Sequence, residues 1–262
     1  MKTKFLITLV IALIVISIVS AGILARNNKK SGQTQTFEKP KIEKILFIHY
    51  KKNFAKPNCN NNGICEPEIG ERKNCLDCKT ESKKESLCYK FLRGKARWQW
   101  KEDYYVSPDV DAEAVKQGVK EWENYGGDIF GSQLVGEKPW NNYDGFNAVV
   151  YGDFEDECEK AGKEPCAIAV TGVWISGNKI IEYDIIFDSD FKWGDAATNS
   201  EIMDWQNIAT HEFGHAAGLN DLYEISCSEE TMFGKSEEGE VKKRTLHSGD
   251  ISGIKKLYRA SA

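Results

Sequence analysis

Two histidines and a glutamate lie close together in the segment HEFGHAAGLND, where their spacing favours metal chemistry. His211 and His215 are four residues apart, which places both side chains on one face of a helix. Two such imidazoles can bind one Zn²⁺, with Glu212 placed as a general base. Gly218 can adopt a positive φ that ends the helix and returns Asp221 as a third ligand. Three protein ligands leave a fourth position for water, which is typical of a catalytic zinc.

The same histidines could instead be ordinary polar side chains at the edge of a core. The chain has only four histidines, and two of them have this spacing with a glutamate between them, which favours the metal site. The extended motif resembles that of the metzincin zinc endopeptidases, HExxHxxGxx(H/D), with Asp221 as the last ligand. The resemblance implies a Met-containing turn beneath the zinc, and Met232 in SEETMFG matches that turn.

The similarity to the matrixin branch of the metzincins extends over about residues 88–260. It implies an α+β fold, a twisted mixed β-sheet with a long active-site helix and a C-terminal helix. The segment SPDVDAEAVKQGVKEWENYG predicts an earlier helix, with Ser107 as its N-cap and Pro108 as its first residue. The closing segment SGDISGIKKLY predicts the last helix, capped by Ser248.

Two stretches ahead of the zinc motif predict β-strands. Residues 146–154 predict one strand, and residues 170–193 predict two strands joined by a Ser-Gly-Asn turn. In matrixins the first strand of this pair is an edge strand that receives the substrate as an added strand. The run AIAVTGV is small, β-branched and uncharged. We therefore predict a substrate edge strand over Ala167, Ile168, Ala169, Val170 and Thr171.

One zinc ion is expected rather than two. Many animal matrixins hold a second, structural zinc through histidines of these two strands, and the matching positions here are Val170 and Ile186. Neither side chain offers a metal donor. Apolar packing and the loop between Cys158 and Cys166 are expected to fill that space. Calcium is the candidate for a second cofactor, because Asp184, Asp188 and Asp190 in the second strand and acidic side chains in a Cys-rich segment suit it.

The N-terminal part predicts export. Residues 5–25 hold 21 residues without a charge, which is long enough to span a bilayer. We expect residues 1–25 to be an uncleaved signal anchor, with a cleavable signal peptide as the alternative. Residues 26–57 are predicted to be a linker, within which ILFIHY at 45–50 could form one strand. Residues 58–87 predict a small disulfide-stapled module, and residues 88–262 the protease domain.

The chain contains eight cysteines, an even number that predicts disulfides in an oxidising compartment. A metal cluster is the alternative, but the spacing differs from that of a zinc ribbon. Cys158 and Cys166 are a natural local pair, and the remaining connectivity is open. The localisation that follows is the cell membrane, single-pass, with the catalytic domain outside; secretion after signal cleavage is the alternative.

The predicted function is that of a zinc-dependent endopeptidase that hydrolyses peptide bonds in extracellular proteins, with Glu212 as general base. One alternative is a membrane-anchored, zinc-containing adhesion or binding module without proteolytic activity. An exopeptidase is another alternative, which a capped pocket would favour. The net charge is −5 and no basic aromatic patch is present, so nucleic acid is not an expected partner.

Overall fold

A computed structural model of the chain describes residues 41–52, 88–156 and 158–259. The predicted signal anchor and the Cys-rich segment lie outside these residues. Within the described residues, no helix is long and apolar enough to cross a bilayer.

Three helices and eleven short or long strands make up the described part of the chain. The strands are β1 (Ile42–Lys51), β2 (Lys90–Phe91), β3 (Tyr104–Val106), β4 (Gln133–Val135), β5 (Asn147–Gly152), β6 (Ala167–Ser176), β7 (Lys179–Asp188), β8 (Trp193–Gly194), β9 (Met203–Asp204), β10 (Leu219–Asn220) and β11 (Lys235–Ser236). The helices are α1 (Ala112–Gly126), α2 (Trp205–Ala216) and α3 (Ser248–Tyr258).

Seven of the strands form one mixed sheet in the order β11-β1-β6-β7-β5-β3-β4. Strand β6 is antiparallel to both of its neighbours, β1 and β7. The strands from β7 outward to β4 are parallel to one another. The short strands β2 and β10 pair with each other, as do β8 and β9. A mixed sheet with three helices fits the α+β fold that the sequence predicts.

The helices share one core with the sheet. Trp122 of α1 is fully buried and its indole Nε1 donates to the carbonyl oxygen of Thr210 in α2 over 2.6 Å. Phe213 of α2 packs edge-on against Tyr183 of β7 and against Tyr104 of β3. This aromatic packing fixes α2 against the sheet, and α2 carries the metal motif.

The predicted starts of two helices are wrong by a few residues. Helix α1 begins at Ala112 rather than Pro108, because Asp111 is the cap and its Oδ1 accepts the backbone N–H groups of Glu113 and Ala114. Helix α3 includes Ser248, and His247 is its cap. There the stabilising carboxylate belongs to Asp250, which accepts the His247 N–H over 3.1 Å.

The strand pair predicted over residues 170–193 is present as β6 and β7, and the strand predicted at 146–154 is β5. The patch ILFIHY also forms a strand, but it lies in the main sheet as part of β1. Residues 42–51 are therefore not linker, and the main sheet includes chain that precedes residue 88.

The prediction of a free edge strand over residues 167–171 is wrong for this structure. Thr171 is paired with Phe47 of β1 on one side and with Ile185 of β7 on the other. Ala169 is likewise paired with His49 and with Phe187. The sequence pattern of β6 is that of a strand able to accept a neighbour, and in this structure the neighbour comes from the same chain.

Two disulfides connect described residues. The predicted local bridge between Cys158 and Cys166 is present. Asp156 organises this loop by accepting the backbone N–H groups of Cys166 and Ala167 over 2.6 and 2.7 Å. The other bridge joins Cys88 to Cys227, just beyond the metal motif. This bridge links the segment after the metal motif to Cys88, the first residue of the described range 88–156.

Candidate active site

The two histidines of the motif lie one turn apart on α2, and both are buried. His211 Nδ1 lies 2.7 Å from the carbonyl oxygen of Thr231, and His215 Nδ1 lies 3.1 Å from that of Leu219. A carbonyl can only accept, so each ring carries its proton on Nδ1. In this tautomer each Nε2 keeps a free lone pair, which metal ligation requires.

Gly218 ends the helical segment as the spacing predicts. Its φ is +106°, and a side chain there would collide with the carbonyl oxygen of Ala96. The turn returns the chain so that Asp221 Oδ1 lies 3.3 Å from His211 Nε2 and 3.4 Å from His215 Nε2. The structure therefore brings together the three residues that the sequence singled out as ligands.

The geometry of these three groups fits a zinc ion. Ligand atoms about 2.0–2.1 Å from a tetrahedral zinc are about 3.3–3.4 Å apart, which matches the two separations above. His211 Nε2 and Asp221 Oδ1 are buried and have no hydrogen-bond partner among the described residues. Buried polar atoms are normally partnered, so these two atoms point to a cation as the missing partner.

Tyr223, which the sequence analysis did not single out, positions Asp221, the third candidate ligand. Its hydroxyl donates to Asp221 Oδ2 over 3.1 Å, on the side away from the histidines. Groups that hold a ligand in this way orient it and tune its basicity. Tyr223 is only two residues from Asp221, but nothing in the local pattern indicates which way its ring turns.

Glu212 lies beside the three candidate ligands. One of its carboxylate oxygens accepts a hydrogen bond, and the other has no hydrogen-bond partner among the described residues. Thr171 Oγ1 of β6 donates to Glu212 Oε2 over 2.5 Å. Glu212 Oε1 has no hydrogen-bond partner among the described residues. Burial raises the pKa of Glu212 to about 7. A carboxylate with this pKa is suited to take a proton and return it near neutral pH.

Burial and neighbouring charges shift the pKa values of His211 and Asp221. Burial, together with the nearby ammonium of Lys243, lowers the pKa of His211 to about 3. Burial alone would raise the pKa of Asp221, but the imidazoles of His215 and His211 hold it well below its usual range. The site therefore favours neutral His211 and ionised Asp221, the forms that bind a metal.

Met232 packs against α2, the helix that carries the two histidines. Its thioether contacts Gly214 of α2, where a Cβ would collide with both Met232 and Trp122. Asp250 of α3 accepts the backbone N–H groups of Thr231 and Met232 over 2.6 and 3.2 Å, which fixes this turn. The same turn supplies the Thr231 carbonyl that orients His211.

Two residues of β1 enter the site and were missed by the sequence analysis. The ring of Phe47 stacks on that of His215 with centroids 3.9 Å apart. His49 is buried and packs edge-on against His211, also at 3.9 Å. Its Nδ1 lies 3.6 Å from Glu212 Oε1. A histidine within a predicted linker gave no local sign of this position.

Two positions that hold structural-zinc histidines in many animal matrixins are apolar here, and they lie opposite each other in the sheet. Val170 of β6 is paired with Ile186 of β7, and both belong to an apolar cluster with Ala148 and Val150. The expectation of apolar packing at this point is confirmed. The Cys158–Cys166 bridge packs with Tyr50 and Ala167 in an adjacent cluster, and Ile48 and Phe154 contact both clusters.

A group of acidic side chains lies at the far end of β7. Asp188 and Asp190 approach Asp153 closely enough to share a cation. Asp184 is not part of this group; it is buried within the sheet and accepts the N–H of Ala148 over 3.1 Å. Calcium at Asp188 and Asp190 remains a prediction.

Comparison with known proteins agrees with this site. Residues 166–259 match the family model of the matrixins. This segment begins at the start of β6 and includes α2, the metal motif, Met232 and α3. It is therefore matrixin-like, and a matrixin domain indicates a zinc metallopeptidase that acts on proteins or peptides. No curated protein matches the chain.

Proposed function

We propose that this protein is a zinc-dependent endopeptidase with His211, His215 and Asp221 as zinc ligands and Glu212 as general base. The observation that carries the proposal is a pair of buried atoms, His211 Nε2 and Asp221 Oδ1, which lie 3.3 Å apart and have no hydrogen-bond partner among the described residues. Both atoms lie beside the buried Glu212. Pure binding has no use for a general base at that position. The adhesion-module alternative therefore explains less of the site.

When bound, zinc supplies a Lewis acid that polarises the scissile carbonyl and acidifies the attacking water. Glu212 Oε1 accepts the proton of that water as it attacks, and then delivers the proton to the leaving amine. Thr171 keeps the carboxylate oriented during both transfers. Burial of the whole site in a low-dielectric environment strengthens these interactions.

The test compares metal content and hydrolysis in two forms of the protein. Because β1 lies over the site, a peptide library is offered to the intact chain and to chain that has been cut within residues 53–58, ahead of the first cysteine. Cleavage sites are read by mass spectrometry with and without a chelator. We expect internal cleavage, abolished by the chelator, from at least one form.

Glu212→Ala provides the matched control, because it keeps the three ligands and removes only the base. Zinc should stay bound while turnover falls by about 10²–10⁴-fold, the typical contribution of general acid–base catalysis. Near wild-type cleavage by this variant would refute the mechanism. Release of single terminal residues instead of internal cleavage would favour the exopeptidase reading.

We further propose that the substrates are extracellular and that residues 5–25 anchor the chain in the cell membrane. Their 21 uncharged residues and the disulfides of the described domain support this placement. N-terminal sequencing of the protein recovered from its producing cells tests the anchor. A new N-terminus after Ala21 would show cleavage and favour the secreted form.

A further inference from the structure

Strand β1 lies where an extended substrate would have to bind. Seen from the metal site, β1 runs between β6 on one side and β11 on the other. Strand β6 carries Thr171, which holds the catalytic glutamate, and β11 follows shortly after Met232. An extended peptide that adds to a sheet edge pairs through its backbone and alternates its side chains. Strand β1 pairs with β6 in this manner along almost its whole length.

The inward side chains of β1 contact the metal-binding groups. Alternation places Phe47 and His49 on the same face of the strand. Phe47 stacks on the ring of His215, and His49 packs edge-on against that of His211. In contrast, Leu46 on the opposite face is about half exposed. The buried face of β1 therefore packs against the residues of the catalytic site.

The imidazole of His49 has a fixed orientation. Its Nε2 lies 3.0 Å from Ser236 Oγ and 3.3 Å from Lys243 Nζ. Its Nδ1 is buried, has no hydrogen-bond partner among the described residues and is directed at Glu212 Oε1. His49, His211 and Glu212 lie close enough together to surround one ion or water. His49 therefore stands on the glutamate side of the site, where the attacking water has to bind.

We propose that β1 is an internal inhibitor that occupies the substrate groove, with His49 closing the open side of the metal site. The inference rests on the proposed function, since a peptidase whose groove is filled by its own chain can bind no other extended peptide. Activation then requires β1 to leave β6. In sequence, residues 53–87 separate β1 from the rest of the domain.

Charged contacts hold the two ends of β1 at the protein surface. Lys51 pairs with Glu238, and Lys52 pairs with Glu237 over 2.7 Å. Glu43, near the other end, pairs with Arg93 over 3.0 Å. All three pairs are substantially exposed, and exposed ion pairs contribute little to stability. The inhibition therefore depends on backbone pairing and on the two inward rings, which are the parts to test.

The first experiment measures access to the metal and needs no turnover. The intact chain is loaded with Co²⁺ and titrated with acetohydroxamate, a small chelating anion, while the visible absorption is followed. The matched variants are His49→Ala and Leu46→Ala, the second on the outer face of the same strand. The probe binds only the open state, so its apparent affinity is its intrinsic affinity multiplied by the fraction of chains that are open. If less than about 10% of the chains are open, the probe binds at least about tenfold more weakly than it binds a fully open chain.

We expect His49→Ala to bind the probe at least about tenfold more tightly than wild type. Leu46→Ala should bind it as wild type does. Equal affinity in wild type and His49→Ala would overturn the inference. Thermal unfolding of each variant shows whether it is folded.

The second experiment adds β1 back as a separate molecule, and it decides the question if His49→Ala does not fold. A recognition sequence for a specific protease is inserted within residues 53–58, ahead of the first cysteine at 59, and the chain is cut there and washed to remove the N-terminal part. A synthetic peptide of residues 41–52 should then compete with acetohydroxamate, and the same peptide with His49→Ala should compete at least about tenfold less well. The Leu46→Ala peptide is the control. Failure of the unaltered peptide to compete would refute the inference.

The two proposals fail in different ways. If the cut chain binds acetohydroxamate and is displaced by the β1 peptide but hydrolyses no peptide, the endopeptidase function is wrong and the inhibitory contact stands. If the intact chain binds the probe freely and also cleaves peptides, the function stands and the inhibitory role of β1 is wrong.

Discussion

Removing the hydroxyl of Thr171 should shift the pH dependence of catalysis. Thr171 Oγ1 donates to Glu212 Oε2 over 2.5 Å, and both side chains are buried. The hydrogen bond stabilises the carboxylate form and so opposes the effect of burial, which raises the pKa of Glu212 to about 7. Thr171→Val keeps the shape of the side chain and deletes the donor. The pKa of Glu212 should therefore rise further.

The size of the shift follows from the energy of the bond. A hydrogen bond to a charged group contributes about 1.5–3 kcal/mol, and one pKa unit corresponds to about 1.36 kcal/mol. The acidic limb of kcat/KM against pH should therefore move upward by about 1–2 units in Thr171→Val. Activity is lost at low pH, where Glu212 is protonated, and recovers as pH rises through the new pKa.

The assay is hydrolysis of a fluorogenic peptide by chain that has been cut within residues 53–58 and freed of its N-terminal part. It is measured across pH, and the zinc content of each sample is checked. Thr171→Ser keeps the hydroxyl and is the control, for which the limb should stay near that of wild type. A uniform loss of activity at every pH, with no movement of the limb, would refute the proposed role of this bond. It would indicate that Thr171 only fills space between β6 and α2.

Three further results are expected. Gly214→Ala should lower the free energy of unfolding by about 2 kcal/mol, because a Cβ there collides with Met232 and Trp122, and an overpacking cost of about 3 kcal/mol outweighs a gain in helix propensity of about 1 kcal/mol. An unchanged urea midpoint would contradict the packing of Met232 against α2. Tyr223→Phe removes the partner of Asp221 Oδ2 and should weaken zinc binding by about 10–100-fold in a competition titration, whereas unchanged affinity would exclude this positioning role. Metal analysis should give one equivalent of zinc, lost when His211 and His215 are both changed; two equivalents, one of them surviving that change, would show a second zinc site.

The parts of the site that local sequence could predict are those set by helix geometry. A spacing of four residues fixes the relative placement of His211 and His215 whatever surrounds the helix. A glycine at 218 permits the positive φ that turns the chain toward Asp221. These relations extend over a few residues, and the structure reproduces each of them.

Contacts between distant elements could not be predicted in the same way. Thr171 was assigned to a substrate edge because its strand is small, β-branched and uncharged, yet its hydroxyl holds Glu212. The alternation of a strand shows which residues share a face, but it does not show which helix they meet. The bridge between Cys88 and Cys227 was open for the same reason, since local spacing carries no information about pairing over 139 residues.

His49 illustrates how the missing information changes the interpretation of the site. Strand alternation in ILFIHY places Phe47 and His49 on one face, which predicts that a histidine and an aromatic ring are buried together. Local pattern does not identify the partner strand, so it gives no indication that this histidine lies beside the metal site. Once β1 is paired with β6, the same two side chains pack against His215 and His211. The three ligands define where zinc can bind, whereas a strand far from them in sequence determines whether water and substrate can reach it. The reactivity of this site therefore depends on the pairing of β1 as much as on the identity of its ligands.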